Sequence, residues 1–208
     1  MDETTRASKQ QSQAQPGALT LSPSDRAAIK IQRPRCFWLT GLSGAGKSTL
    51  ANALEVRLHQ QGLHTALLDG DNLRRGLCSD LGMDAGSRKE NVRRIAEVAR
   101  LMVEAGLIVI VAAISPFRAD RDAARRLFSH NDFIEVYVST PFDVCAERDP
   151  KGLYREALAG RIKHFTGLDS PYEAPLAAEC EIDTSEMELA QACAQMMALL
   201  CENNESAA

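Results

Sequence analysis

The sequence predicts an α/β fold, a parallel five-stranded sheet with helices on both faces, and three observations lead there. Short apolar runs alternate with helix-period runs along most of the chain, the pattern that implies right-handed crossovers and mainly parallel strands. The apolar run Cys36 to Thr40 leads directly into G-x-x-x-x-G-K-S, spelled Gly41-Leu42-Ser43-Gly44-Ala45-Gly46-Lys47-Ser48 and followed by Thr49. The length, 208 residues, suits one well-buried domain and is short for two.

Taken in chain order, Met1 to about Thr20 is rich in Gln, Ser, Thr and Ala and carries almost no large apolar residue. Such a segment cannot bury enough surface to offset its ordering entropy, so it reads as a disordered tail. Ser22-Pro23-Ser24-Asp25 carries a helix start, with Ser22 as cap and Pro23 in the first turn of a short helix toward Ile31. Residues 1–34 are therefore assigned to a tail with a short helix, and 35–204 to the folded domain. Strands are expected at Cys36 to Thr40, Thr65 to Leu68, Leu107 to Ile114, Phe133 to Val138 and around Cys180 to Ile182. A helix with Leu50, Leu54 and Leu58 on one face follows the glycine-rich loop and stops at Gly62. Others are expected from about Lys89 to Ala105 and over Ala119 to Phe128. The last starts after Thr184 or Ser185, where Ser185-x-x-Glu188 spells a capping box, with Leu189, Cys193, Met196 and Leu200 on one apolar face.

Composition excludes several classes of partner. With 24 basic and 28 acidic residues the formal charge is −4, and no long basic block exists to follow a nucleic-acid backbone. The longest apolar run, Leu107 to Ile114, is far shorter than the roughly 20 residues of a membrane-spanning helix, and no apolar signal core opens the chain. Six cysteines are scattered without a C-x-x-C pair and read as small buried groups in a reduced, cytoplasmic compartment.

The chemistry starts at the glycine-rich loop. Its glycines let successive backbone N–H groups turn inward onto phosphate oxygens, and the helix behind it adds its positive dipole end. Lys47 is placed to reach the terminal phosphates of a nucleotide and Ser48 to coordinate Mg²⁺, which makes this a P-loop NTPase-type fold. The run Leu107 to Ile114 ends in Ser115-Pro116 rather than in an acid; the acids stand in Leu68-Asp69-Gly70-Asp71-Asn72-Leu73-Arg74, at a strand's C-terminal end where ligands of open α/β sheets bind. A carboxylate there either helps hold Mg²⁺, takes a proton from an attacking hydroxyl, or simply shapes an Asp-Gly turn.

Arg88 and Asn91, three apart on one helix face, are suited to an anionic nucleotide-like substrate, whereas Lys89, Glu90, Arg93 and Arg94 read as a solvated face. Arg148-Asp149-Pro150-Lys151-Gly152-Leu153-Tyr154 reads as a basic flap that brings Arg148 and Lys151 over transferring phosphates. The aromatics of Phe165-Thr166-Gly167-Leu168-Asp169-Ser170-Pro171-Tyr172-Glu173 are either a hydrophobic staple or a platform for a base.

Together these stretches resemble the adenylylsulfate kinase family from Cys36 to about Leu200, through FWLTGLSGAGKSTL, LLDGDNLRRGLCSDLG, RKENVRRIAEVARLM, ISPFRADR, RDPKGLY and FTGLDSPYEAP in that order. The resemblance implies transfer of the γ-phosphate of MgATP to the 3′-hydroxyl of adenylyl sulfate, giving 3′-phosphoadenylyl sulfate and ADP, on a nucleotide-kinase-like fold. By position it implies that Asp71 takes the hydroxyl proton and that Arg74, Arg88 and Asn91 bind the substrate. It further implies that the Ile114 backbone meets the substrate and that Phe165 stacks on its adenine, opposite Met83. Lys47, Ser48 and Asp69 take the phosphate and metal side, while Arg148 and Lys151 match the ATP-side lid, Lys151 facing the substrate as well. Ser115 matches a serine assigned in the family as a phosphoserine intermediate, although in-line transfer between two bound nucleotides needs no covalent relay. The chain departs from the family pattern at Met83, commonly Phe, and at Ser87, often an acid. A homodimer is implied by the resemblance alone.

Two other readings compete. A kinase for another small hydroxylated metabolite, such as a sugar acid, shares the fold but does not need an adenine platform at Phe165. A regulatory NTPase expects an N-K-x-D motif, which is absent from the sequence, and has no use for the lid-like RDPKGLY segment.

Overall fold

The computed structural model describes residues 20–129 and 131–201. The tail expected over Met1 to Thr20 lies, except for Thr20, outside the described residues. Five parallel strands, β1 (Cys36–Gly41), β2 (Thr65–Asp69), β3 (Ile108–Ala112), β4 (Phe133–Val138) and β5 (Cys180–Ile182), form one sheet in the order β2-β3-β1-β4-β5. β1 and β3 are buried along their whole length, as central parallel strands covered on both faces must be. Because side chains alternate across a strand, Phe37 and Leu39 join one core and Cys36 and Trp38 the other. The first core is closed by α2 (Lys47–Gln60) through Leu50, Leu54 and Leu58, and by α8 (Leu189–Cys201) through Ala192, Cys193 and Met196. The second is closed by α4 (Ala85–Glu104) through Val92, Ile95, Ala96 and Ala99.

All five expected strands are present, with the run after Leu107 shortened at both ends. Helices differ more. α1 (Pro23–Lys30) has the expected start: the Ser22 hydroxyl accepts from the Asp25 N–H at 3.1 Å, and the Ser22 N–H donates back to the Asp25 carboxylate at 2.8 Å. Gln32 then ties this segment to the domain, its side-chain amide donating to His64 O and Gly106 O at 2.9 and 2.8 Å. α4 begins before Lys89 because Asp84 caps it, accepting from the Ser87 N–H at 3.0 Å. α5 (Arg118–Arg125) stops short of Phe128.

The capping box expected at Ser185 does not form. Asp183 captures both the N–H and the hydroxyl of Ser185 in a turn, at 2.8 and 2.5 Å, and α8 starts only at Leu189. Of its expected apolar face, Cys193 and Met196 are buried, while Leu189 is exposed and faces the cavity described below. The short helices α3 (Gly70–Leu73), α6 (Phe142–Arg148) and α7 (Leu153–Leu158) carry the loops at the C-terminal edge of the sheet.

That edge is held by one buried guanidinium. Arg121 donates from Nε to Glu135 Oε1 at 2.6 Å, from Nη1 to Ser115 O at 2.7 Å and from Nη2 to Glu173 O at 2.7 Å. It thereby joins β4 to the loop after β3 and to the segment following Phe165. Removing Arg121 leaves the buried Glu135 carboxylate with only the longer contact to Arg125, at 3.4 Å. Arg121→Met is expected to destabilise the protein by about 3 kcal/mol, and Arg121→Met with Glu135→Leu by clearly less than the sum of the two single changes. Urea unfolding of the four proteins measures this.

Candidate active site

Above the C-terminal ends of β1, β2 and β3 lies a cavity of about 780 Å³, where open α/β sheets bind ligands. One wall is the glycine-rich loop. Gly44 has φ +75°, and a Cβ there would lie 2.9 Å from the Cys145 carbonyl oxygen, so only glycine fits. Gly46, at φ +100°, opens α2, and no side chain caps that helix. Its first N–H groups are thus left for a ligand, and the helix dipole favours an anionic one.

Lys47 Nζ donates to the carbonyls of Gly41 and Leu42 at 3.0 and 2.6 Å, and burial lowers its pKa to about 8. Gly41, Leu42 and Ala45 do not line the cavity, although all three were expected among the ATP-binding residues. Leu42 faces a separate groove beside Phe142 and Leu168, and Ala45 is buried beneath the loop. Thr184, which the sequence does not single out, props the loop from below: its hydroxyl donates to Ala45 O at 2.9 Å and accepts from Arg148 at 2.6 Å.

Ser48 and Asp69, 21 residues apart, meet with Ser48 Oγ donating to Asp69 Oδ2 at 2.6 Å. The other Asp69 oxygen accepts from the N–H groups of Asp71 and Asn72, so this acid both shapes the turn and faces the loop. Asp71 pairs with Lys151 of the lid, bringing the basic flap across to the end of β2. The second lid residue, Arg148, is held by Thr184 through its hydroxyl and its carbonyl.

The far wall gathers Arg74, Met83, Arg88, Asn91 and Phe165. Arg88, expected to bind the substrate, has most of its donors engaged by the protein. Nε donates to Met83 O at 2.8 Å, and the terminal nitrogens donate to Thr166, Ser170 and the His164 carbonyl. It therefore staples the Met83 segment to the Phe165 loop and sets the spacing between these two side chains. Arg74 is similarly anchored on Gly82 O at 3.1 Å. Asn91 is buried beside the cavity with its side-chain carbonyl oxygen unpartnered. Phe165 is buried apart from its cavity edge and packs edge-on against Tyr154, whereas Met83 is 54 % exposed.

Ile114 and Ser115 complete the floor. The Ile114 carbonyl accepts from Thr40 Oγ1 at 2.7 Å. Ser115 corrects one expectation: its hydroxyl accepts from Trp38 Nε1 at 3.0 Å and donates to Ala113 O at 3.3 Å, with its backbone at φ +39°. A hydroxyl turned into the sheet in this way serves a strained bend, and the indole N–H and carbonyl it meets are not bases that would make it a nucleophile.

The adenylylsulphate kinase family model matches residues 33–183, more than half of the chain. The chain belongs to that family. An adenylyl-sulfate kinase of Shewanella amazonensis is 59 % identical over 169 residues, 81 % of this chain and 85 % of the relative. One from Marinobacter nauticus is 54 % identical over 179 residues, 86 % and 90 % of the two chains. Among solved structures, the Mycobacterium tuberculosis APS kinase in complex with AMPPNP and APS superposes with a TM-score of 0.77 at 43 % identity, covering 81 % of this chain and 98 % of that one. The protein is thus an ATP-dependent kinase acting on a hydroxyl group, and the cavity carries the features such a kinase needs.

Membership of the adenylylsulphate kinase family and the buried hydroxyl of Ser115 together make a sharp expectation. Ser115→Ala strips Trp38 of its acceptor and costs about 1–3 kcal/mol of stability, yet leaves phosphoryl transfer in place. Denaturant unfolding and kcat on the same preparation check both halves.

Proposed function

We propose that this chain transfers the γ-phosphate of MgATP to the 3′-hydroxyl of adenylyl sulfate within this cavity. The observation that carries the reading is that one continuous cavity is lined both by an uncapped phosphate loop and by the Met83, Arg88 and Phe165 wall, with Asp71 exposed to it. A donor nucleotide on the loop and an acceptor adenine against Phe165 then share one enclosure, which is the requirement for direct in-line transfer.

In that transfer the acceptor oxygen forms a bond to the γ-phosphorus while the bond from that phosphorus to the β–γ bridging oxygen breaks, and ADP leaves. The proton of the acceptor hydroxyl goes to the Asp71 carboxylate, which is exposed and unshielded apart from Lys151. Lys47, Arg148 and Lys151 stabilise charge on the transferring group, and the α2 N–H groups hold the donor phosphates. Ser48 and Asp69 would hold Mg²⁺, which supplies charge neutralisation at the donor phosphates. Two protein oxygens in contact, with no cluster of three or more His, Cys, Asp or Glu side chains among the described residues, suit an ion that keeps waters and phosphate oxygens as its other ligands. Asn91 offers its unpartnered oxygen to a donor on the acceptor.

We assign the kinase unit to 35–204 and the compartment to the cytoplasm. The latter is supported by five free buried cysteines and by the lack of any helix among the described residues long and apolar enough to cross a membrane. A homodimer rests on the family resemblance. Light scattering separates it from a hexamer, the form described for the APS kinase of Thiobacillus denitrificans.

ADP release is expected to depend strictly on adenylyl sulfate; equal turnover without it would show a simple NTPase instead. Lys47→Ala is expected to remove most activity in a folded protein. Asp71→Asn, which keeps shape but abolishes basicity, lowers kcat by roughly 10²- to 10⁴-fold if Asp71 is the base. A change confined to the Mg²⁺ concentration needed for turnover would move Asp71 to the metal instead. In the acceptor wall, Phe165→Ala weakens adenylyl sulfate binding more than Met83→Ala, because a flat ring stacks at about 1–3 kcal/mol and a thioether contact contributes about 0.3–1.5. Calorimetric titration into the MgADP complexes ranks the two.

A further inference from the structure

Tyr154 lies in the first turn of α7, directly behind the lid, and has no part in the chemistry above. Its ring is buried and meets two others edge-on, Phe142 at 5.5 Å and 73°, and Phe165 at 4.8 Å and 74°. Its hydroxyl donates to the carbonyl oxygen of Ser43, in the phosphate loop, at 2.8 Å. Its backbone N–H and that of Arg155 donate to the two oxygens of Asp149, at 3.0 and 3.1 Å, and Asp149 belongs to the lid. One residue therefore touches the loop, the lid and the Phe165 wall.

The contact with Ser43 has a directional consequence. In a planar trans peptide the carbonyl of one residue and the N–H of the next point to opposite sides, and this chain has no cis peptide among its described residues. Holding the Ser43 carbonyl outward on Tyr154 aims the Gly44 N–H the other way, and Gly44 lines the cavity. Burial raises the pKa of the phenol, so it remains an O–H donor throughout the working pH range. A ring that only filled space would serve equally well as phenylalanine, and it would leave a phosphate-loop carbonyl without this donor.

We propose that Tyr154 is a positioning residue that sets the donor and acceptor halves of the cavity in register. Its hydroxyl orients the Ser43–Gly44 peptide toward the donor phosphates, and its ring fixes the Phe165 wall against which the acceptor base lies. This rests on the kinase reading above.

The two functions separate in two variants of the full chain. Tyr154→Phe keeps the ring and loses the hydroxyl, so kcat/KM for ATP falls about 3- to 10-fold while KM for adenylyl sulfate stays within about twofold. Tyr154→Leu also loses the edge contact with Phe165, adding a rise of about 3- to 10-fold in KM for adenylyl sulfate. A folded Tyr154→Phe protein with unchanged kcat/KM for ATP overturns the proposal. So does a folded Tyr154→Leu protein whose adenylyl sulfate KM does not move. Should the wild type release ADP equally with and without adenylyl sulfate, the kinase reading fails on its own. The role of the hydroxyl is then still decided by calorimetric binding of AMPPNP, weaker in Tyr154→Phe if it holds and equal if it does not.

Discussion

The site depends on the first turn of α2 being left without a cap. Helices ordinarily satisfy their leading N–H groups with a side chain, but Gly46 offers none, and the donors of this turn face a cavity. An open turn of this kind is stable only if everything around it is held by other means. Lys47 folds back onto the Gly41 and Leu42 carbonyls, Thr184 supports Ala45 from beneath, and Tyr154 takes the Ser43 carbonyl from the side. Each support uses the carbonyl face of the loop, which leaves the N–H face for phosphate.

A second arrangement governs the acceptor side. Arg88 is a cation lining the cavity, yet its hydrogen bonds go mainly to backbone and hydroxyl oxygens of the two segments that flank it. A guanidinium has five donors in a fixed plane, so it can tie several chains together while its charge still acts on a ligand. Positioning and electrostatic attraction are thus combined in one side chain. Arg121 plays a comparable part under the sheet edge, where it holds the Ser115 bend and the segment after Phe165 to β4.

The lid is built on the same economy of contacts. Asp149 ends α6 in a left-handed conformation and caps the first N–H groups of α7. The basic residues on either side therefore emerge from a tight turn rather than from a slack loop. Lys151 reaches Asp71 and Arg148 reaches Thr184, so both cations already lie over the cavity. Both are held by polar contacts at an accessible surface, which contribute little to stability.

Fold class, strand positions and the phosphate loop were legible in the sequence because each is written in adjacent residues. Parallel strands read as continuous apolar runs, and the loop needs glycines at fixed offsets whatever surrounds it. The boundaries of α4 and α8 were less legible, since Asp84 caps α4 upstream of the expected start and Asp183 engages the N–H and hydroxyl of Ser185, and only the path of the chain brings those partners together. Ser115 matches the family's phosphoserine position, but the Trp38 that holds its hydroxyl stands 77 residues away on β1. Arg88 reads locally as a substrate-facing cation, and its partners stand 76 to 82 positions later in the chain. The sequence by itself determined which residue types converge on phosphate and on an aromatic wall, because local periodicity and glycine spacing are properties of neighbours. Which of those side chains remain free to meet a ligand was decided by the tertiary structure alone, because a hydrogen bond made across the sheet leaves no trace in the residues beside it.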